Sequence, residues 1–197
     1  MIPMVVGVLA FQGDFAEHMD ILGSMGVRCM EVRSLQDLTK VDRLIIPGGE
    51  STVMARFLQE TGVGEEIKKR AERAVKAERS KPLAVFGTCA GAIVLARKAT
   101  GKNAPQPLGL IDIEVDRNAY GTQLQSFEAI LKIKGFHQPI AVSFIRAPKI
   151  TKVGKSVEVL ASYKGFPVLV RQGSVLAATF HTEVRGESAL HEFFLKM

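Results

Sequence analysis

Cysteine is scarce in this chain. Cys29 and Cys89 are the only two among 197 residues, they fall in different expected elements, and no metal-type spacing joins them. That argues for a thiol protein of the cytoplasm and against a disulfide scaffold or a metal site. Long apolar runs are lacking too: nothing approaches the roughly 18 residues a membrane span requires. The first residues do not have the basic-then-apolar layout of a signal peptide, because residues 4–11 read as a strand. No low-complexity tract, internal repeat or linker interrupts residues 1–197, so one domain is expected. Charge of one sign is not segregated either. The net charge is +6, yet basic residues are interleaved with acids. Glu65/Lys69, Glu66/Arg70 and Glu72/Lys76 are spaced as pairs four apart on a helix surface. With nucleic-acid motifs and interleaved aromatics missing, a solvated helix face accounts for this charge and no nucleic-acid partner is expected.

What is present is a globular composition, 47% hydrophobic, with strands and helices in alternation. Residues 4–10 are β-rich. Asp14, with Glu17 three residues on, reads as a capping box opening a helix that carries Phe15, Met19 and Leu22 and ends at Gly26. Residues 27–32 read as a strand, 34–38 as a helical turn capped by Ser34, and 44–46 as a third strand. A helix with Met54, Phe57 and Leu58 comes next, then a charged helix reaching Arg79. Residues 83–86 form a short apolar run, a buried parallel strand. Residues 93–96 continue as helix, with Arg97 and Lys98 in its last turn. Such alternation calls for a three-layer, flavodoxin-like α/β fold whose parallel strands end along one edge. After Gly101 the pattern changes to strands at 111–116, 127–134, 140–145, 157–162, 166–170 and 175–180, with Lys164-Gly165 as a hairpin tip. These make an antiparallel extension, closed by a helix over 188–195 with Leu190, Phe193 and Phe194 facing inward. His18, His137 and His191 are scattered and read as surface or packing residues.

Three stretches carry chemistry. Gly87-Thr88-Cys89-Ala90-Gly91 lies between an expected strand and helix, with the spacing of a nucleophile elbow that holds sulfur in place of a serine oxygen. Small neighbours leave room for the sharp turn, and the helix start favours a thiolate. Taken alone, the same spacing also suits a buried structural cysteine. His181 and Glu183 follow the last strand two residues apart, so an extended chain points both to one side. There the carboxylate can orient the imidazole and stabilise its cation. Pro47-Gly48-Gly49-Glu50-Ser51 leaves another strand end. Its glycines let backbone N–H groups approach a ligand, which suits an oxyanion hole completed by Ala90. It lacks the lysine of a phosphate-binding loop.

Gly87-Thr-Cys89-Ala-Gly91 with His181-x-Glu183 resembles the class I (triad) glutamine amidotransferases. Within them, the chain is similar to the glutaminase subunits of pyridoxal 5′-phosphate synthase. That similarity rests on Pro47-Gly-Gly-Glu-Ser51, Gly7-Val-Leu-Ala-Phe-Gln-Gly13, Asp116-Arg-Asn-Ala-Tyr-Gly-x-Gln123, Ser126-Phe-Glu128 and Phe144-Ile-Arg-Ala-Pro148, which cover nearly the whole chain in order. The resemblance implies Cys89 as nucleophile, His181 as base and then acid, and Glu183 as its orienter. It implies oxyanion-hole N–H groups from Gly49 and Ala90, and glutamine held by Gly48, Gly49, Glu50, Ser51, Arg117, Asn118, Arg146 and Ala147. Gln12 would lie at the contact with the synthase. The implied partner is a (β/α)8-barrel subunit that receives the ammonia directly, and the hydrolysis itself needs no cofactor. The family most often has proline between the triad His and Glu; here Thr182 stands there. Two other readings stay open: a different triad amidotransferase, such as the histidine-pathway glutaminase, and a non-catalytic α/β protein that keeps the triad as a relic.

Overall fold

The central strands are apolar on both faces, which only a sheet covered on both sides permits. The computed structural model describes residues 4–72, 83–117 and 126–197. In its first part the chain runs β1 (Val6–Leu9), α1 (Phe15–Ser24), β2 (Cys29–Val32), α2 (Leu35–Leu38), β3 (Arg43–Ile46), α3 (Ser51–Glu60) and α4 (Val63–Glu72). Next come β4 (Ala84–Thr88), α5 (Ala90–Leu95), β5 (Ala96–Thr100) and β6 (Ile111–Asp116). The last part holds β7 (Phe127–Leu131), β8 (Ile140–Phe144), β9 (Lys149–Val153), β10 (Glu158–Tyr163), β11 (Phe166–Gln172), β12 (Val175–Ala178) and α6 (Ala189–Leu195).

Among the described residues the main sheet has seven strands in the order β10-β11-β12-β4-β3-β1-β2. The run from β12 to β2 is parallel, and β10, β11 and β12 pair antiparallel. This is the expected parallel α/β sheet with an antiparallel extension. Alternate residues of the central parallel strands feed two cores. Leu44 and Ile46 face one with Met54, Leu58, Ile67 and Val94, while Ile45 faces the other with Leu22, Leu190 and Phe194. So α3, α4 and α5 cover one face, and α1 and α6 the other. A small sheet of β5, β6 and β9 extends the first core through Ile113, Val115 and Ile150. The β7–β8 pair extends the second through Leu131, Val142 and Phe144.

Four expectations need correcting. The helix after Cys89 stops at Leu95, and Arg97 and Lys98 lie on β5, not in a last helical turn. The N–H groups of Leu108 and Leu110 take the carbonyls of Val94 and Leu95, ending the helix from outside. Arg97 and Lys98 then reach Asp112 and Glu114 of the neighbouring strand. On α4 the pairs that form are Glu65–Lys68 and Glu66–Lys69, three apart, and Arg70 donates to the carbonyls of Leu38 and Val41. Strand β9 has no counterpart in the sequence reading. Finally, His18 and His191 are packing residues, as read, but they are not scattered: both are fully buried and bonded to one another. The stretch from 73 to 79, including Lys76, lies outside the described residues.

Candidate active site

Strands β12, β4, β3 and β1 are parallel neighbours, so their carboxyl ends line one edge in that order. The loops leaving them carry His181, Cys89, Gly48-Gly49 and Gln12. Topology alone therefore sets an imidazole, a thiol and a glycine loop side by side.

Cys89 sits in the turn between β4 and α5 with φ 48° and ψ −103°, a conformation that costs a non-glycine residue about 1–3 kcal/mol. The surroundings hold it there. Its N–H donates to Ala178 O at 2.8 Å, and its carbonyl accepts from the N–H of Ala92 at 3.1 Å. The flanking glycines are sterically required. A Cβ on Gly91 would lie 2.1 Å from Ile46 O, and one on Gly87 would lie 2.6 Å from the Gly91 backbone. Cys89 is 8% exposed, and its thiol donates to Ile145 O at 3.7 Å.

His181 is fixed by its backbone, which exchanges two hydrogen bonds with Ser143 on β8, at 2.8 and 2.9 Å. Its Nδ1 donates to Glu183 Oε1 at 2.5 Å, which leaves Nε2 for the sulfur. The extended His-x-Glu geometry expected from sequence is not what produces this contact. The chain bends at Thr182 (φ −110°, ψ −29°), and Glu183 opens a 3-10 turn over Glu183–Arg185. The bend turns the Thr182 N–H onto Glu183 Oε2 at 2.9 Å, a bond that proline could not make. Burial pulls the His181 pKa down, but hydrogen bonds with Cys89 and Glu183 outweigh it and raise the value to about 10. Glu183 is the converse case. Burial would raise its pKa, and His18 and the His181 hydrogen bond bring it to about 2. A second carboxylate, Asp14 Oδ2, stands 3.5 Å from the same Nδ1. Asp14 makes no side-chain cap to α1, so the expected capping box does not form. Its own pKa is raised, chiefly by burial. Asp14, His181 and Glu183 offer ligand atoms within 4.8 Å of one another; the short His181–Glu183 bond already accounts for that cluster.

The glycine loop closes on this group. A Cβ on Gly48 would lie 2.4 Å from His181 Cε1, and Gly49 has φ +141° with Gln12 2.7 Å from where its Cβ would be. Gln12 clamps the loop, its Oε1 accepting from Glu50 N at 3.0 Å and its Nε2 donating to Glu50 O at 3.1 Å. Ala90, first in α5, has an N–H without an intrahelical acceptor by position. Glu50 caps α3 through the N–H groups of Thr52 and Val53 and pairs with Arg117. Burial opposes ionisation of Glu50, and these donors and the Arg117 charge overcome it, lowering its pKa. Arg117 also donates to Thr52 Oγ1 at 2.6 Å. Ser51 is buried, with its hydroxyl unpartnered. Arg146 (φ 46°) is exposed beside Ile145, the residue that accepts the thiol, and Ala147 is buried. Asn118 lies outside the described residues.

The sequence reading thus named the residues that meet at the edge but missed Asp14, His18 and the Thr182 amide. Asp14, His18 and Leu22 are spaced four apart on α1, so a polar pair on the buried face was the available signal.

The sequence matches the SNO glutamine amidotransferase family over residues 8–197. It is 46% identical over 193 residues to pyridoxal 5′-phosphate synthase subunit PdxT of Thermus thermophilus, covering 98% of this chain and 97% of that protein. It is 45% identical over 195 residues to the PdxT subunit of Thermosipho africanus, covering 98% of each. A crystal structure of a glutamine amidotransferase superposes with a TM-score of 0.89 at 44% identity, covering 97% of both chains. The structure of PurLQS from Thermotoga maritima, at 17% identity and a TM-score of 0.72 over 100% of this chain and 99% of that one, shares the fold. The chain belongs to the SNO glutamine amidotransferase family.

Proposed function

We propose that this glutamine amidotransferase hydrolyses L-glutamine to L-glutamate and ammonia through a Cys89–His181–Glu183 triad. The ammonia passes to a (β/α)8-barrel synthase subunit that makes pyridoxal 5′-phosphate in the cytoplasm. The observation that carries the reading is the convergence of Cys89 and the Glu183-bonded His181 at one sheet edge; the PdxT names of relatives near 45% identity support the pathway.

In this reading the Cys89 thiolate attacks the side-chain amide carbon of glutamine. The developing oxyanion takes hydrogen bonds from the N–H groups of Gly49 and Ala90. His181, with its pKa held at about 10, enters protonated and gives its proton to the departing nitrogen. Ammonia leaves, and a γ-glutamyl thioester remains on Cys89. His181 then takes a proton from water, the resulting hydroxide attacks the thioester, and glutamate departs as the thiolate re-forms. Glu183 keeps Nδ1 protonated and stabilises the imidazolium.

Glutamine's amino-acid end falls to Gly48, Glu50, Ser51, Arg117, Asn118, Arg146 and Ala147. Glu50 and Arg117 pair with each other here, so substrate has to replace that ion pair. That need fits a subunit that is weak alone and active when a partner at the Gln12 side reshapes the loop. The test is ammonia release from glutamine, with and without the synthase subunit. Cys89→Ala should abolish it while the complex still forms. Retained hydrolysis in that variant would refute the triad.

A further inference from the structure

Behind the triad lies a second layer of histidine that the mechanism above does not use. His18 on α1 and His191 on α6 are both fully buried, as are Thr88 and Glu183. His18 Nδ1 meets His191 Nε2 at 2.8 Å. His18 Nε2 lies 3.1 Å from Thr88 Oγ1 and 3.5 Å from Glu183 Oε1. His191 Nδ1 is buried without a partner.

That one orphan atom fixes the direction of the whole chain. An unpartnered buried N–H is costly, whereas an unpartnered ring lone pair costs less. His191 therefore carries its proton on Nε2 and donates it to His18 Nδ1. His18 must then carry its own proton on Nε2, bonded to the Thr88 hydroxyl with the Glu183 carboxylate next to it. The reverse order would let the Thr88 hydroxyl donate to His18 Nε2, but it strands a buried N–H on His191 and leaves Glu183 facing a lone pair instead of an N–H.

We infer that His18 is a positioning residue for the triad, its Nε2–H bonded to Thr88 and turned toward Glu183 in a tautomer that His191 sets. Glu183 then has donors on both oxygens, His181 on Oε1 and the Thr182 amide on Oε2, with the His18 Nε2–H facing Oε1 from 3.5 Å. A carboxylate bonded on both oxygens is held against rotation, and so is the His181 ring that donates to it. Burial keeps His18 and His191 neutral, which this arrangement requires.

The inference rests on the triad reading, and two measurements separate their fates. The first is nitrogen-15 NMR of the histidine-labelled, unaltered full chain at neutral pH, which reads ring tautomers without reference to activity. Both His18 and His191 should be neutral with the proton on Nε2. A proton on Nδ1 of either, or an imidazolium, overturns the proposal. The second is glutaminase kinetics of the complex. His18→Leu should lower kcat about tenfold with KM within about twofold, the loss of a polar N–H beside a charged group. His18→Gln, which restores an N–H near the Nε2 position, should recover most of the rate. Wild-type kcat in His18→Leu, beside an inactive Cys89→Ala, sinks the positioning role and leaves the triad standing. An active Cys89→Ala sinks the triad instead. Should His18→Leu fail to fold, the tautomers of the unaltered protein decide.

Discussion

Thr182 shows how much a single backbone amide can contribute. Its N–H holds Glu183 Oε2 at 2.9 Å, and its φ of −110° lies well outside the range a pyrrolidine ring allows. From sequence, Thr182 read only as a departure from the family's proline; in the structure it supplies a bond to the triad carboxylate. Thr182→Pro removes a hydrogen bond to a charged group, and the stiffer unfolded chain returns only part of that. The net effect is a loss of about 1–2 kcal/mol. Thermal unfolding should show a melting temperature lower by a few degrees, and an equal or higher one would contradict this account. Cys89, His181 and Glu183 were legible because their spacing and order along the chain are distinctive. Asp14 and His18 were not. Helical periodicity marks a buried face, but it does not say that two polar groups on that face will find a carboxylate and a histidine from residues far along the chain.

At the scale of elements, the elbow depends on how close two backbones come. Gly91 in α5 faces Ile46 O on β3, a strand held on both sides by β1 and β4. Neither partner can retreat, so Gly91→Ala should cost more than about 3 kcal/mol, the scale of severe core overpacking. Gly23 is the control. It lies in α1 with nothing within 4 Å of an added Cβ, so Gly23→Ala should stabilise by about 0.5–1 kcal/mol through lower chain entropy. Chemical denaturation of both variants checks the pair, and the same sign for both would show that the clash is not what decides. The strands of the parallel sheet were legible as apolar runs because burial on both faces leaves little room for anything else. The end of α5 and strand β9 were not. The carbonyls of Val94 and Leu95 are taken by the amides of Leu108 and Leu110, and β9 pairs with β6 although β7 and β8 stand between them in the sequence. Neither partnership shows in local periodicity.

Across the whole molecule, the buried titratable cluster sets how stability varies with pH. His191 has an ordinary value of 6.5, and burial is the chief cause that lowers it to about 3. Between those limits the unfolded chain takes up a proton that the folded one refuses, so stability falls as pH drops below 6.5. Burial lowers His18 as well, and it acts in the same direction. Glu183 contributes stability that is complete above 4.5 and lost as pH falls through about 2. His181 works on the other flank. Burial is outweighed by Cys89 and Glu183, and its pKa rises from 6.5 to about 10, so its contribution is full below 6.5 and lost as pH climbs through about 10. The background runs the opposite way there, because a chain of net charge +6 sheds self-repulsion as lysines begin to discharge. Melting temperature against pH should therefore peak near neutrality and decline on both sides. His181→Gln should flatten the alkaline decline while leaving the acid one in place. A melting temperature that climbs steadily to pH 9 in the unaltered protein would mean that the imidazolium is not held by Cys89 and Glu183 as described, and that the background charge dominates instead.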